Sequence, residues 1–124
     1  MLSVEDVARH YGLRPETVRR KVRAGEICAI RMCRNYRLDW RDVWACEDGP
    51  MPNGAQIARY QDRLLSKKEI ASALGVSVKT VERWIGNGLP TRAVFGAVRC
   101  NPHDVTDWLR AVLDIRLPDD WWHE

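Results

Sequence analysis

The residues best suited to chemistry in this chain are arginines gathered on one short predicted helix. Residues 15–23 begin with a proline, which suits the first helical turn, and Gly25 follows where a helix end favours a positive φ. Val18 and Val22 are four residues apart and define one narrow buried stripe. The side away from that stripe carries guanidinium groups, whose planar donors match phosphates and base edges. The stretch therefore predicts a helix that contacts an anion, with nucleic acid as the first candidate.

A charged helix that merely faces solvent would show the same pattern of residues once. A second copy of the pattern in the chain favours the interpretation that the helix contacts nucleic acid. Residues 2–13 align with residues 65–76, and Thr17, Val18 and Gly25 align with Thr80, Val81 and Gly88. A solenoid needs three or more units, so two copies of this length indicate two tandem domains.

Each copy carries the signals of two short helices joined by a glycine turn. Ser3 and Ser66 are predicted N-caps, with Asp6 and Glu69 as partners in a capping box, and glycines end both first helices. A second helix restarts within a few residues, which is the pattern of a helix-turn-helix whose second helix contacts DNA.

The pattern changes to short alternating strands after each second helix. Strands are predicted over residues 27–32 and 35–39, and over residues 91–95 and 97–100, with polar or glycine turns between them. Third helices are predicted from Trp40 to Glu47 and from Pro102 to about Leu117. Trp40, Trp44, Trp84 and Trp108 are expected on the apolar faces where these elements meet.

This order of elements resembles the winged-helix domains of the MerR-like and excisionase-like superfamily. The resemblance rests on Thr17-Val18-Arg19-Arg20, Gly25, Tyr36-Arg37 and Asp42-Val43, and on Thr80-Val81-Glu82-Arg83-Trp84, Gly88, Val98-Arg99 and Asp104-Val105. It implies a mainly α-helical fold with short β-hairpin wings, arranged as two tandem winged helix-turn-helix domains that bind DNA.

The expected organisation is a first domain over residues 1–47 and a second over residues 65–117. Residues 48–64, which begin rich in Pro and Gly, form the predicted linker, with a short helix expected over residues 55–64. Residues 118–124 form a C-terminal tail containing Trp121 and Trp122.

The predicted DNA contacts follow from this organisation. In the first domain they are Arg14, Glu16, Thr17, Arg19, Arg20 and Arg23 on the second helix, and Arg31, Arg34 and Arg37 on the hairpin. In the second domain they are Lys79, Thr80 and Arg83 on the helix, and Arg92 and Arg99 on the hairpin.

Charge is distributed unequally between the two copies, although the chain as a whole carries a net charge of only +3. Between Arg14 and Arg41, cations far outnumber the acidic residues, whereas Glu82 opposes the fewer cations of the second copy. The first domain is therefore predicted to be the principal DNA reader.

Other chemistry finds little support in the residue pattern. Cys28, Cys33, Cys46, Cys100 and His103 are of types that bind zinc, but no Cys-x-x-Cys pair is present, and reduced thiols are expected. No nucleophile with its base, carboxylate pair or phosphate loop is found, so no enzyme and no cofactor are predicted. No apolar run is long enough to span a membrane and no signal peptide is found, so a cytoplasmic protein is expected.

Two classes of function stay open at this point. The first is sequence-specific binding of double-stranded DNA, as an excisionase-like recombination directionality factor or as a transcriptional regulator of a mobile element or phage. A site-specific recombinase is then a candidate partner, and the chain acts as a monomer or assembles along DNA. The second is a protein-docking module, such as an anti-activator or a packaging factor resembling a terminase small subunit. In that case the second domain no longer reads DNA.

Overall fold

A computed structural model of the chain describes residues 1–123, which form seven helices and five short strands. The fold is dominated by helix, with 45% helical and 15% strand content in two small antiparallel sheets. In chain order the elements are α1 Val4–Tyr11, α2 Pro15–Arg23, β1 Ile30–Met32, β2 Asn35–Arg37, α3 Trp40–Trp44, β3 Glu47–Asp48, α4 Gln56–Arg59, α5 Lys67–Leu74, α6 Val78–Gly86, β4 Arg92–Val94, β5 Ala97–Arg99 and α7 Pro102–Leu113.

The helix starts and stops follow the local signals. Ser3 and Ser66 accept hydrogen bonds from the amides of Asp6 and Glu69, and both capping boxes are complete. Gly12 ends α1 at a φ of 66°, where a β-carbon would be strained. These predicted caps are confirmed because each depends on residues within one or two turns of chain.

Several element ends differ from those predicted. The third helix of the first repeat ends at Trp44 instead of Glu47, because Glu47 pairs with Val94 in a neighbouring strand. Helix α7 ends at Leu113 instead of about Leu117, because the next residue, Asp114, takes a left-handed conformation. The helix expected over residues 55–64 is the single turn α4, and both hairpins have strands of three residues.

The two repeats share a sheet, and the second repeat contributes to the core of the first. Strand β3, which follows the first repeat's third helix, pairs antiparallel with β4 of the second repeat and makes a three-stranded sheet, β3-β4-β5. Val94 from β4 and Leu64 from the connecting segment belong to the core of the first repeat. Residues 48–64, predicted to be a linker, are therefore partly packed against both repeats, with Tyr60 and Leu64 buried.

The second core is closed by the C-terminal tail. Leu117, Trp121 and Trp122 pack against it, and the Trp121 Nε1–H donates to Thr106 Oγ1 across 2.8 Å. The predicted tail, residues 118–124, is described as far as His123, and Glu124 lies outside the described residues.

The tryptophans expected in the core divide into two groups. Trp44 and Trp84 are buried, whereas Trp40 and Trp108 are partly buried and pack against the two cores from outside. Within residues 1–123, no helix combines the length and the apolar character needed to cross a bilayer.

Candidate nucleic-acid interface

Helix α2 is held by its apolar stripe and presents its cations outward. Val18 is fully buried and Val22 partly buried, as the spacing predicted. Arg20 and Arg23 lie on the exposed side, and Arg19 is half-buried beside them. The buried valines therefore fix the rotation of α2 so that guanidinium groups face solvent.

A polar cleft lies between α2 and the first hairpin. Its volume is about 250 Å³, and it opens on the surface beside α1. It is lined by five arginines together with four other residues: Arg19, Arg23, Arg31, Arg34 and Arg37, with Val4, Glu5, Asn35 and Tyr36. So many guanidinium groups converging on one concavity create a strongly positive potential there.

Ion pairs orient two of the cleft arginines. The Arg19 guanidinium donates to Glu5 Oε1 at 2.6 Å, and the Arg23 guanidinium donates to Glu16 Oε1 at 2.7 Å. The hydrogen bond from Arg23 lowers the pKa of the Glu16 carboxyl and raises that of Arg23. Glu16, predicted to contact DNA, is thereby placed as a partner that positions Arg23 on the helix surface.

Three other cations predicted in the first repeat are unpaired within the described part of the chain. Arg14 precedes α2, Arg20 lies on its outer side, and Arg34 is in the turn of the first hairpin. All three are exposed, and no ion pair involves them among residues 1–123. Exposed, unpaired cations are available to phosphates without first breaking an internal contact.

Tyr36 contacts two of the arginines on the first hairpin. The Arg31 guanidinium carbon lies 5.9 Å from the centroid of the Tyr36 ring, across the β1–β2 pair. Arg37 is half-buried and donates to the Tyr36 carbonyl at 2.9 Å. Tyr36 thus supports both cations at the rim of the cleft.

The second repeat has an equivalent but less basic concavity. A groove of about 570 Å³ lies between the starts of α5 and α6 and the second hairpin. It is lined by Ser66, Lys67, Lys68, Val78, Gly96, Ala97, Val98 and Arg99. The helix residues predicted to contact DNA are nearby in sequence: Lys79 and Arg83 are exposed, and Thr80 is half-buried with its hydroxyl 3.0 Å from Ser77 Oγ.

The ion pair that links the first two helices is reversed in charge between the repeats. In the first repeat the cation is on the second helix, as Arg19 bound to Glu5. In the second repeat the cation is on the first helix, as Lys67, whose Nζ is 3.5 Å from Glu82 Oε2. The cation of this ion pair therefore lies on the second helix in the first repeat and on the first helix in the second repeat.

Arg92 was predicted to contact DNA from the second hairpin, but the structure buries it away from the candidate surface. Its Nε donates to Glu47 Oε1 at 2.7 Å in a buried ion pair, and another guanidinium nitrogen donates to the Pro50 carbonyl. The side chain faces the first repeat because β4 pairs with β3. A cation enclosed in this way has no path to a phosphate.

Arg99 is held by hydrogen bonds in the same interface between the repeats. Its Nε donates to the Tyr11 carbonyl at 2.9 Å, at the end of α1 in the first repeat. A further guanidinium nitrogen donates to the Val98 carbonyl, on the exposed side. Arg99 thus lies at the edge of the second groove and serves mainly to join the repeats.

Sequence reasoning missed several residues that the structure brings to these clefts. Glu5 and Asn35 line the first, and Lys67 and Lys68 line the second. A signal existed for the lysines, since they occupy the first turn of α5, where the helix dipole disfavours positive charge. No comparable local signal marks Glu5, which becomes relevant only when α2 packs beside α1.

The cysteines do not form a cluster in the described residues. Cys28 and Cys33 are exposed, whereas Cys46 is half-buried and Cys100 is buried. Burial raises the pKa of the Cys46 thiol to about 11 and that of Cys100 to about 12, which keeps both protonated at neutral pH. Residues 1–123 contain no group of three His, Cys, Asp or Glu side chains arranged to hold a metal ion.

No protein-family model, curated protein or solved structure matches the chain with significant similarity. The internal repeat, the basic cleft and the positions of individual side chains are therefore the features that indicate function.

Proposed function

We propose that the chain binds double-stranded DNA through two winged helix-turn-helix units. In the first unit, α2 enters the major groove and the β1–β2 hairpin is the wing. The observation that carries this proposal is the cleft between them, where five arginines converge on a concave surface.

The geometry of the first unit suits a duplex. Arg20, exposed on the outer side of α2, is placed for base edges, since guanidinium groups bond guanine in the major groove. Arg34, in the hairpin turn, is placed for phosphates or for the minor groove beside it. Arg19 and Arg23 lie between these positions and contact the intervening backbone.

The second unit plays a smaller part in DNA binding. Its hairpin joins the repeats and buries Arg92, so α6 and the lysines at the start of α5 are left to meet DNA. Lys68, Lys79 and Arg83 supply phosphate contacts there, with Glu82 opposing them. The same burial favours a second role for this unit, as a scaffold that fixes the orientation of the first.

The biological role that fits is an accessory one in DNA transactions of a mobile element or phage. The chain would act as an excisionase-like factor that helps a site-specific recombinase, or as a transcriptional regulator. In both roles the protein positions or bends DNA and carries no chemistry of its own, which agrees with a polar cleft lined mainly by arginines.

A titration of a labelled mixed-sequence duplex tests the proposal. The double variant Arg31→Ala/Arg34→Ala is expected to bind the duplex about tenfold more weakly than the wild type at a fixed salt concentration. Arg59→Ala/Arg110→Ala removes the same charge at exposed positions outside the cleft and is the matched control. Equal affinity of both double variants for the duplex would contradict the assignment of the cleft.

A further inference from the structure

One face of the first hairpin is exposed although the same face of the second hairpin is buried. Ile30 and Met32 are 55% and 52% exposed. The positions that correspond to them in the second hairpin are Arg92 and Val94, which are 5% and 1% exposed. The two hairpins have the same strand lengths and pairing, so their surroundings cause the difference.

The cover on the second hairpin comes from the preceding repeat. Strand β3 pairs with β4, Arg99 of β5 donates to the Tyr11 carbonyl at the end of α1, and Val94 enters the first core. Lys21 also lies over the Phe95 ring, with Nζ 4.9 Å from its centroid. This interface shows that the segment after the third helix, together with the first core, covers a hairpin face of this type.

The corresponding surface of the second repeat is exposed and apolar. Beyond the point where α3 gives way to β3 in the first repeat, α7 continues to Leu113. Val112 is 54% exposed there, and Leu113 and Ile115 are also exposed. The chain thus presents an uncovered hairpin face at one end, formed by Ile30 and Met32, and an uncovered helix-end patch at the other, formed by Val112, Leu113 and Ile115.

The charges around these two surfaces are complementary. The first hairpin carries Arg31, Arg34 and Arg37 and no acidic residue. The segment after α7 carries three exposed aspartates, Asp114, Asp119 and Asp120, against a single Arg116. Attraction between opposite charges favours the encounter of one end with the other over the encounter of like ends.

We infer that copies of this chain associate head to tail, with the hairpin face of one copy packed against the helix-end patch of the next. The contact joins the same kind of hairpin face to a segment that follows a third helix, without the β3–β4 strand pairing, since α7 stays helical where β3 forms in the first repeat. Because it joins two different surfaces, the interface is heterologous and leaves a free hairpin face and a free helix-end patch on every pair. Ile30 and Met32 share their face of the hairpin with their cross-strand partners Arg37 and Asn35, whereas Arg31 and Tyr36 lie on the other face.

Sedimentation velocity without DNA tests this inference independently of the proposed function. The wild-type mass is expected to rise above 14.3 kDa as the protein concentration increases. Ile30→Glu and Val112→Glu should each abolish the rise, because each places a charge in the contact. Both residues are exposed, so both variants should fold; Ile57→Glu, at another exposed apolar position, is the control and should associate like the wild type.

Mixing the two variants gives the sharpest result. The Val112→Glu chain keeps an intact hairpin face and the Ile30→Glu chain keeps an intact helix-end patch, so the mixture should form a complex of two chains and no larger species. A mixture that stays at the mass of one chain, or a wild type that stays there at every concentration, would overturn the inference. Association of either variant alone to the wild-type extent would overturn it as well.

Discussion

Arg92 and Glu47 form a buried ion pair at 2.7 Å that joins the two repeats. Tyr11 reinforces it, since its hydroxyl lies 2.7 Å from Glu47 Oε2 and 2.6 Å from the Val43 carbonyl. Burial, with the Glu47 carboxylate nearby, raises the pKa of Tyr11 and keeps the hydroxyl protonated. The guanidinium carbon of Arg92 also lies 4.8 Å from the Tyr60 ring centroid, so the connecting segment contributes too.

Removing one member of this pair should destabilise the whole chain. Glu47→Ala leaves the Arg92 charge buried without its carboxylate partner, which typically costs about 3–5 kcal/mol. The free energy of unfolding, measured by urea denaturation, should fall by that order. Asp107→Ala breaks the exposed pair with Arg59 and should cost under ~1 kcal/mol. Equal losses for the two variants would show that the Arg92–Glu47 pair is not buried in solution.

The buried His10 should make stability depend on pH. Its side chain is enclosed among Tyr11 and Trp40, and its Nε2 has no hydrogen-bond partner in the described residues. Burial lowers the pKa of His10 from 6.5 to about 4, opposed by the negative charge of Asp62. The folded state therefore favours neutral His10, and the unfolded chain binds the extra proton between these two values.

The stability contributed by neutral His10 is thus fully present above about pH 6.5 and is lost as the pH falls towards 4. The loss is about 3 kcal/mol over that window. Urea unfolding at a series of pH values should show a smaller decline for His10→Leu, in which this group cannot titrate, than for the wild type. Identical slopes for the two proteins would contradict the buried, neutral assignment.

Val18 should be essential to the first repeat. It is fully buried in the first core, and the residues around it there are apolar. Val18→Asp places a carboxylate without a partner in that core, which should unfold the repeat. Circular dichroism and thermal melting check this, and Val18→Ala should give a folded but less stable protein. A soluble Val18→Asp variant with an unchanged melting curve would show that α2 faces another way.

The two repeats should contribute unequally to DNA binding. Arg20 lies on α2 beside the arginine-lined cleft, whereas Arg83 lies on α6 next to Glu82 and beside a groove with fewer cations. Arg20→Ala should therefore cost about 1–3 kcal/mol in affinity for a specific site, and Arg83→Ala should cost less. Gel-shift titrations at one salt concentration compare them, and a larger loss for Arg83→Ala would assign the principal reader to the second repeat.

The parts of the fold that sequence predicted are those set by local chemistry. The capping boxes at Ser3 and Ser66 and the glycine at the end of α1 are decided by residues a few positions apart. The pairing of Glu47 with Arg92 joins residues far apart in the chain, and no local pattern marks either as buried. For this reason the strand at Glu47 was predicted as helix and Arg92 as a surface cation.

The same distinction applies to the candidate site. The cations of α2 and the first hairpin were predicted from composition and helical spacing, and all of them are exposed in the structure except the half-buried Arg19 and Arg37 and the partly buried Lys21. Arg92 is removed from the candidate surface, and Arg99 is hydrogen-bonded to the first repeat, because of the way the second hairpin packs against that repeat. Because Val94 and Leu64 complete the first core, experiments on DNA binding require the full chain rather than an isolated first repeat.

The salt dependence of binding to a mixed-sequence duplex tests DNA binding most directly. A protein whose arginines make ~6–10 phosphate contacts releases the counterions they replace and loses about 10³–10⁵ in affinity between about 50 and 200 mM salt. The full chain is expected to show such a steep linear fall of log affinity against log salt concentration, and Arg34→Ala should make the slope shallower by about one contact. An affinity for duplex DNA that hardly changes with salt concentration, or no binding at low salt, would contradict the account.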